Sequence, residues 1–147
     1  MAEVRWAPRP VSVPVSHGAL EGLLQEPDRP RFAAVVCHPH PQYGGTMANN
    51  VIYRVAGGLY DGGGAVLRFN FRGVGRSTGS YGDAVGELED VVAALDFLAA
   101  RHPGLPLWVA GFSFGARVGL EAAVRDGRAV RLLGVGLALS IFDQSFL

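Results

Sequence analysis

Cysteine is almost absent: Cys37 is the only one in 147 residues, so no intrachain disulfide can form and a reducing compartment suffices. Charge is sparse and balanced, with 13 basic residues against 13 acidic ones. That balance removes the electrostatic footprint expected of a protein that binds nucleic acid or an anionic membrane. No apolar stretch nears the ~20 residues that a membrane span needs. Met1 to Pro10 also lacks the apolar run of a secretory signal. A soluble, cytoplasmic protein is expected, with no membrane or nucleic-acid partner. Histidine is missing from the whole stretch after His102.

Hydrophobic residues make up 49% of the chain and charged residues 18%, a composition that suits one globular domain over 1–147. The 21 glycines cluster at the ends of apolar runs, where tight turns and close backbone approach are needed. Alternation over Val11–Val15 and Leu20–Leu24 predicts two antiparallel strands turning at His17-Gly18. Unbroken apolar runs at Phe32–Cys37, Ala65–Phe71 and Leu107–Ala110 predict strands buried on both faces of a parallel sheet. Val130–Leu139 predicts a fourth parallel strand. Helical spacing covers Asn49–Tyr60, Ala84–Arg101 and Ala116–Arg125. In the second of these, Glu87, Glu89 and Asp90 suit the positive end of the helix dipole. Strands alternating with helices imply an α/β fold, a mostly parallel twisted sheet with helices on both faces.

Gly111-Phe112-Ser113-Phe114-Gly115 lies between a predicted buried strand and a predicted helix. A serine hydroxyl needs exposure, a base and a place for an oxyanion, and a strained strand-to-helix turn provides the first of these. The amide of Phe114 is the natural first oxyanion donor. A second is expected from the loop after Phe32–Cys37. Pro39 and Pro41 have no N–H, which leaves His40 nearest, with Gln42, Tyr43 and Gly44 behind it. His38-Pro39-His40 has chelate spacing, but only Cys37 accompanies it, and strand alternation turns Cys37 away from His38. No metal and no cofactor are expected, and His38 is read as a hydrogen-bonding anchor of the loop. Gly73-Val74-Gly75-Arg76-Ser77-Thr78 lacks the third glycine of a dinucleotide loop and is read as a structural turn. Tyr43, Tyr81 and Phe112 are candidate pocket aromatics, with Tyr43 the candidate substrate contact.

Three segments together resemble small bacterial serine hydrolases of the α/β-hydrolase superfamily. They are Cys37-His38-Pro39-His40-Pro41-Gln42-Tyr43-Gly44-Gly45-Thr46-Met47-Ala48-Asn49-Asn50, Arg68–Ser77 and Gly111–Ala116. The resemblance runs from about Val11 to Leu147. It implies Ser113 as nucleophile, the amides of His40 and Phe114 as oxyanion hole, and hydrolysis of a small-molecule carboxylic ester or similar acyl bond.

In that superfamily the acid and the histidine follow the serine. Here Glu121, Asp126 and Asp143 follow Ser113, and no histidine does. The chain therefore reads as the N-terminal portion of such a protein, without the last strands, and as a weak catalyst alone. An exposed sheet edge would invite a homodimer. The alternatives are a non-catalytic binding module on the same scaffold, one half of a split enzyme, or a rearranged triad using His38 or His40 with Asp143.

Overall fold

The computed structural model describes residues 7–137. Strands β1 (Arg9–Val15) and β2 (Gly18–Gln25) form the antiparallel hairpin expected at the start of the chain. Then come β3 (Phe32–Cys37), α1 (Asn50–Asp61), β4 (Gly64–Phe69), α2 (Gly86–Arg101), β5 (Leu107–Phe112), α3 (Phe114–Asp126) and β6 (Ala129–Val135). The sheet order is β1-β2-β4-β3-β5-β6. Strands β4, β3, β5 and β6 are parallel neighbours, while β2 joins β4 antiparallel.

The apolar runs without alternation are explained by burial on both faces. Ala33, Val35, Cys37, Leu67, Phe69 and Val109 point toward α2 and α3. Phe32, Ala34, Val36, Val66 and Ala110 point toward Ile52, Ala56 and Leu59 of α1. Every residue of β3 and β4 is buried. Asn49 caps α1 by accepting hydrogen bonds from the amides of Val51 and Ile52, which satisfies donors that the first helical turn leaves open.

Differences from the sequence-based expectations fall at element ends. Helix α3 begins at Phe114, two residues before the expected Ala116, so it starts directly on the serine. Helix α2 begins at Gly86, because Asp83 and Ala84 hold positive φ, 55° and 66°, in the preceding loop. Residues 138 and 139 of the expected last strand, and Asp143, lie outside the described residues. Among the described residues, no helix is long and apolar enough to cross a membrane.

Candidate functional site

Strand β5 delivers Ser113 to the carboxyl end of the sheet, and α3 leaves from the very next residue. Ser113 holds φ 57° and ψ −116°, a backbone region that costs a non-glycine residue about 1–3 kcal/mol. The turn is pinned from both sides. Its amide donates to the Val135 carbonyl at 2.9 Å, and its carbonyl accepts from the Arg117 amide at 3.1 Å. The two flanking glycines are required sterically. A Cβ at Gly111 would lie 2.4 Å from the Gly115 carbonyl oxygen, and one at Gly115 would lie 2.1 Å from the Cys37 carbonyl oxygen. The second contact presses the serine turn against the end of β3. Ser113 is half-buried, does not cap its own helix, and its Oγ has no hydrogen-bond partner among the described residues. The hydroxyl is thus left uncommitted at a helix N-terminus, where developing negative charge is favoured.

The loop after β3 is fixed by its own histidines. His38 is fully buried; its Nε2 accepts from the Phe71 amide at 3.0 Å and its Nδ1 contacts the Pro39 carbonyl at 2.6 Å. An amide can only donate, so Nε2 is bare and Nδ1 carries the proton that it gives to Pro39. Burial pushes the ring down to about 4, with the Pro39 carbonyl opposing. The expected anchoring role of His38 is what the geometry contains. His40 caps the short helical turn Pro41–Tyr43: its Nδ1 accepts from the Gln42 amide at 3.1 Å, and its carbonyl accepts from the amides of Tyr43 and Gly45. The His40 amide itself has no acceptor among the described residues.

An aromatic cluster surrounds these groups. The His40 ring lies 4.7 Å from Tyr43, 5.2 Å from Tyr81 and 4.7 Å from Phe114, centroid to centroid. Tyr43 is 85% exposed and meets the His40 ring in an edge-to-face contact.

Among the described residues, none of the four histidines is hydrogen-bonded to Ser113; each ring is engaged elsewhere. His38 and His40 use both ring nitrogens as described, His40 Nε2 going to Tyr81 Oη at 3.2 Å. His17 contacts Thr78 Oγ1 and the Asp90 carboxylate. His102 sits at the far end of α2, hydrogen-bonded to Glu26 at 2.5 Å. The arrangement supplies a strained serine and a helix N-terminus against a loop held by its own hydrogen bonds, with no histidine hydrogen-bonded to the serine among the described residues.

The supporting roles of four residues are not marked by any motif in the sequence: Asn70, Arg72, Glu87 and Asp90. Asn70 takes the Met47 amide on its Oδ1 and donates to Glu21, tying the loop of His40 to β2. Asp90 is fully buried and accepts from the Arg72 amide and guanidinium, which fixes the chain leaving β4. Glu87 is also fully buried and accepts from the Gly82 amide at 2.9 Å. Reading Glu87 and Asp90 as dipole partners was incomplete. Both lie at helical spacing on the apolar stripe of Val91, Ala94, Leu95 and Leu98, and a carboxylate on that stripe was the available signal.

Residues 28–140 match the family model described as serine aminopeptidase, S33. An uncharacterized protein of Rickettsia prowazekii (strain Madrid E) is 38% identical over 135 residues, covering 88% of this chain and 57% of its own. Among solved structures, an α/β serine hydrolase without a lid from Xanthomonas campestris superposes with a TM-score of 0.79 at 38% identity. It covers 85% of this chain, which in turn covers 59% of it. An α/β serine hydrolase homologue from Coxiella burnetii gives 0.77 at 38% identity, with 80% and 57% coverage. The chain thus spans somewhat under three-fifths of the length of these relatives, and its sheet, its serine turn and its loop after β3 make it a member of the serine aminopeptidase S33 family of α/β hydrolases.

Proposed function

We propose that this chain carries the nucleophile and oxyanion hole of a serine hydrolase acting on a small-molecule carboxylic ester or a related acyl bond. The observation that carries this is Ser113 itself, at φ 57°, its Oγ without a hydrogen-bond partner among the described residues, on a turn packed closely against the start of the loop of His40. In the proposed reaction Ser113 Oγ bonds to the acyl carbon while its proton passes to a base. The carbonyl oxygen becomes an oxyanion held by the amides of His40 and Phe114. Collapse expels the alcohol, which takes back a proton, and water then releases the acid. Tyr43, exposed beside His40, would meet the alcohol or acyl portion at the rim. No metal or cofactor enters these steps.

The base and acid are proposed to come from outside the described residues, because all four histidine rings are engaged elsewhere. Without them, oxyanion and binding effects leave roughly 10³–10⁴-fold acceleration over water. Added imidazole, as a diffusible base, is therefore expected to raise p-nitrophenyl acetate hydrolysis at least tenfold above the imidazole-only and Ser113→Ala controls. Equal rates for the parent and Ser113→Ala at every imidazole concentration would sink the proposal and favour a non-catalytic scaffold.

The exposed apolar side chains of β6, Val130, Leu132 and Leu133, further suggest that this chain alone self-associates through that edge. The lone buried Cys37 suits a cytoplasmic location.

A further inference from the structure

The loop before α2 holds more strain than a connection requires. Asp83 and Ala84, neither of them glycine, both sit at positive φ, and the buried Glu87 carboxylate ties down the Gly82 amide. Glu87 Oε1 is buried and has no hydrogen-bond partner among the described residues, while Oε2 holds the loop through Gly82. The same loop carries Tyr81, half-buried, with its ring 5.2 Å from His40 and 6.2 Å from Phe114. Those are the two residues whose amides form the proposed oxyanion hole.

The tautomer of His40 decides what Tyr81 can do. The Gln42 amide donates to His40 Nδ1, so a neutral His40 carries its proton on Nε2. That Nε2–H donates to Tyr81 Oη at 3.2 Å. Burial holds the ring below its ordinary value, against the opposing charge of Glu87, which keeps it neutral near pH 7. Tyr81 Oη is consequently an acceptor in this contact, and its own hydrogen is left for something else. Among the described residues no acceptor takes it.

We propose that Tyr81 is a third donor in the active site, its hydroxyl hydrogen directed at the oxygen of the bound acyl group beside the amides of His40 and Phe114. This rests on the function proposed above and assigns a residue to it. A hydroxyl polarised by a donated imidazole N–H is a stronger donor than an isolated phenol. It would act chiefly when the carbonyl oxygen gains charge, so its loss should slow the chemical step more than it weakens binding.

The test is fluorophosphonate labelling of the full chain with imidazole present, comparing the parent, Tyr81→Phe and Ser113→Ala. Tyr81→Phe keeps the ring packing and removes only the hydroxyl. The expected result is a tenfold or greater fall in the maximal labelling rate with little change in half-saturating probe concentration, and an unchanged Tm. In ring ¹⁵N spectra of Tyr81→Phe, the His40 Nε2–H should lose its acceptor while Nδ1 stays unprotonated. Labelling of Tyr81→Phe at the parental rate overturns the Tyr81 role alone. Labelling that persists in Ser113→Ala, or is absent from the parent, overturns the underlying function and the Tyr81 role with it. A parental ¹⁵N spectrum showing Nδ1 protonated removes the basis of the proposal whatever the labelling.

Discussion

Strands β3 and β6 run parallel in the same sheet and are both largely apolar in sequence, β6 interrupted by Arg131 and Gly134, yet they have opposite fates. All of β3 is buried, between β4 and β5 and under helices on both faces. Strand β6 borders the sheet, and five of its seven residues are exposed. The buried strand ends in the loop of His40, and its neighbour β5 ends in Ser113. The exposed strand lends the site only a backbone carbonyl, that of Val135 beneath the serine amide. Precision in this molecule is located where strands are flanked, because only there can a turn be pinned by neighbours on every side.

That contrast can be broken most severely at Gly115. With the Cys37 carbonyl 2.1 Å from any added Cβ and both sides being backbone, Gly115→Ala is expected to leave no soluble protein, or protein in which Ser113 is no longer labelled. Normal expression and parental labelling would show that the turn and the β3 loop are less tightly coupled than the geometry states.

Next in size is truncation in the flanked strands. Leu67→Ala in β4, where the side chain is fully buried, is expected to cost about 2–5 kcal/mol in urea unfolding. Leu132→Ala in β6, 44% exposed, should cost well under about 1 kcal/mol. Equal costs would mean that β6 is covered in solution.

Acid should then discriminate the buried loop from the rest. An unfolded histidine titrates near 6.5, whereas His38 in the folded chain is held at about 4. Between those values the unfolded chain binds a proton that the folded chain refuses, so stability present above pH 6.5 is lost as pH falls toward 4. The loss is about 3 kcal/mol at most. His38→Asn should flatten that part of the profile. A later loss below pH 4.5 should remain, from Glu26. Burial alone would raise that carboxyl, but the hydrogen bonds of Arg101 and His102 and the Arg101 charge outweigh it and hold it at about 2. A profile identical in His38→Asn would show that His38 does not titrate as placed.

The smallest effect belongs to the edge. Leu132→Lys is expected to leave Tm within about 1–2 °C, in keeping with an exposed surface position. It should also shift the chain toward monomer in light scattering. An unchanged mass distribution would remove β6 as the association surface.

The sheet was legible because its signals are local: unalternating runs for strands flanked on both faces, alternation for the hairpin. Ser113 was legible for the same reason, since glycines two residues to either side announce a backbone contact that any larger residue would block. The supporting polar residues were harder. Asn70 acts on Met47 and Glu21, positions distant in sequence, and nothing in its own neighbourhood marks it. The commitment of His40 was equally hidden, because its tautomer follows from the Gln42 amide, which folds back only once the short turn has formed. Sequence showed that no histidine follows the serine. Only geometry showed that the upstream ones are already occupied.

The His38 ring has one more consequence. Where β3 gives way to a stretch with prolines at 39 and 41, the main chain loses the donors that would continue its ladder to β4. The imidazole stands in for a missing peptide unit, taking the Phe71 N–H on one side and giving an N–H to Pro39 on the other. It is a spliced rung: the backbone is released to turn outward while the seam between the two strands stays closed. Any replacement must offer one donor and one acceptor at comparable reach, so the loop constrains its anchor through the shape of its hydrogen-bonding edge more than through charge.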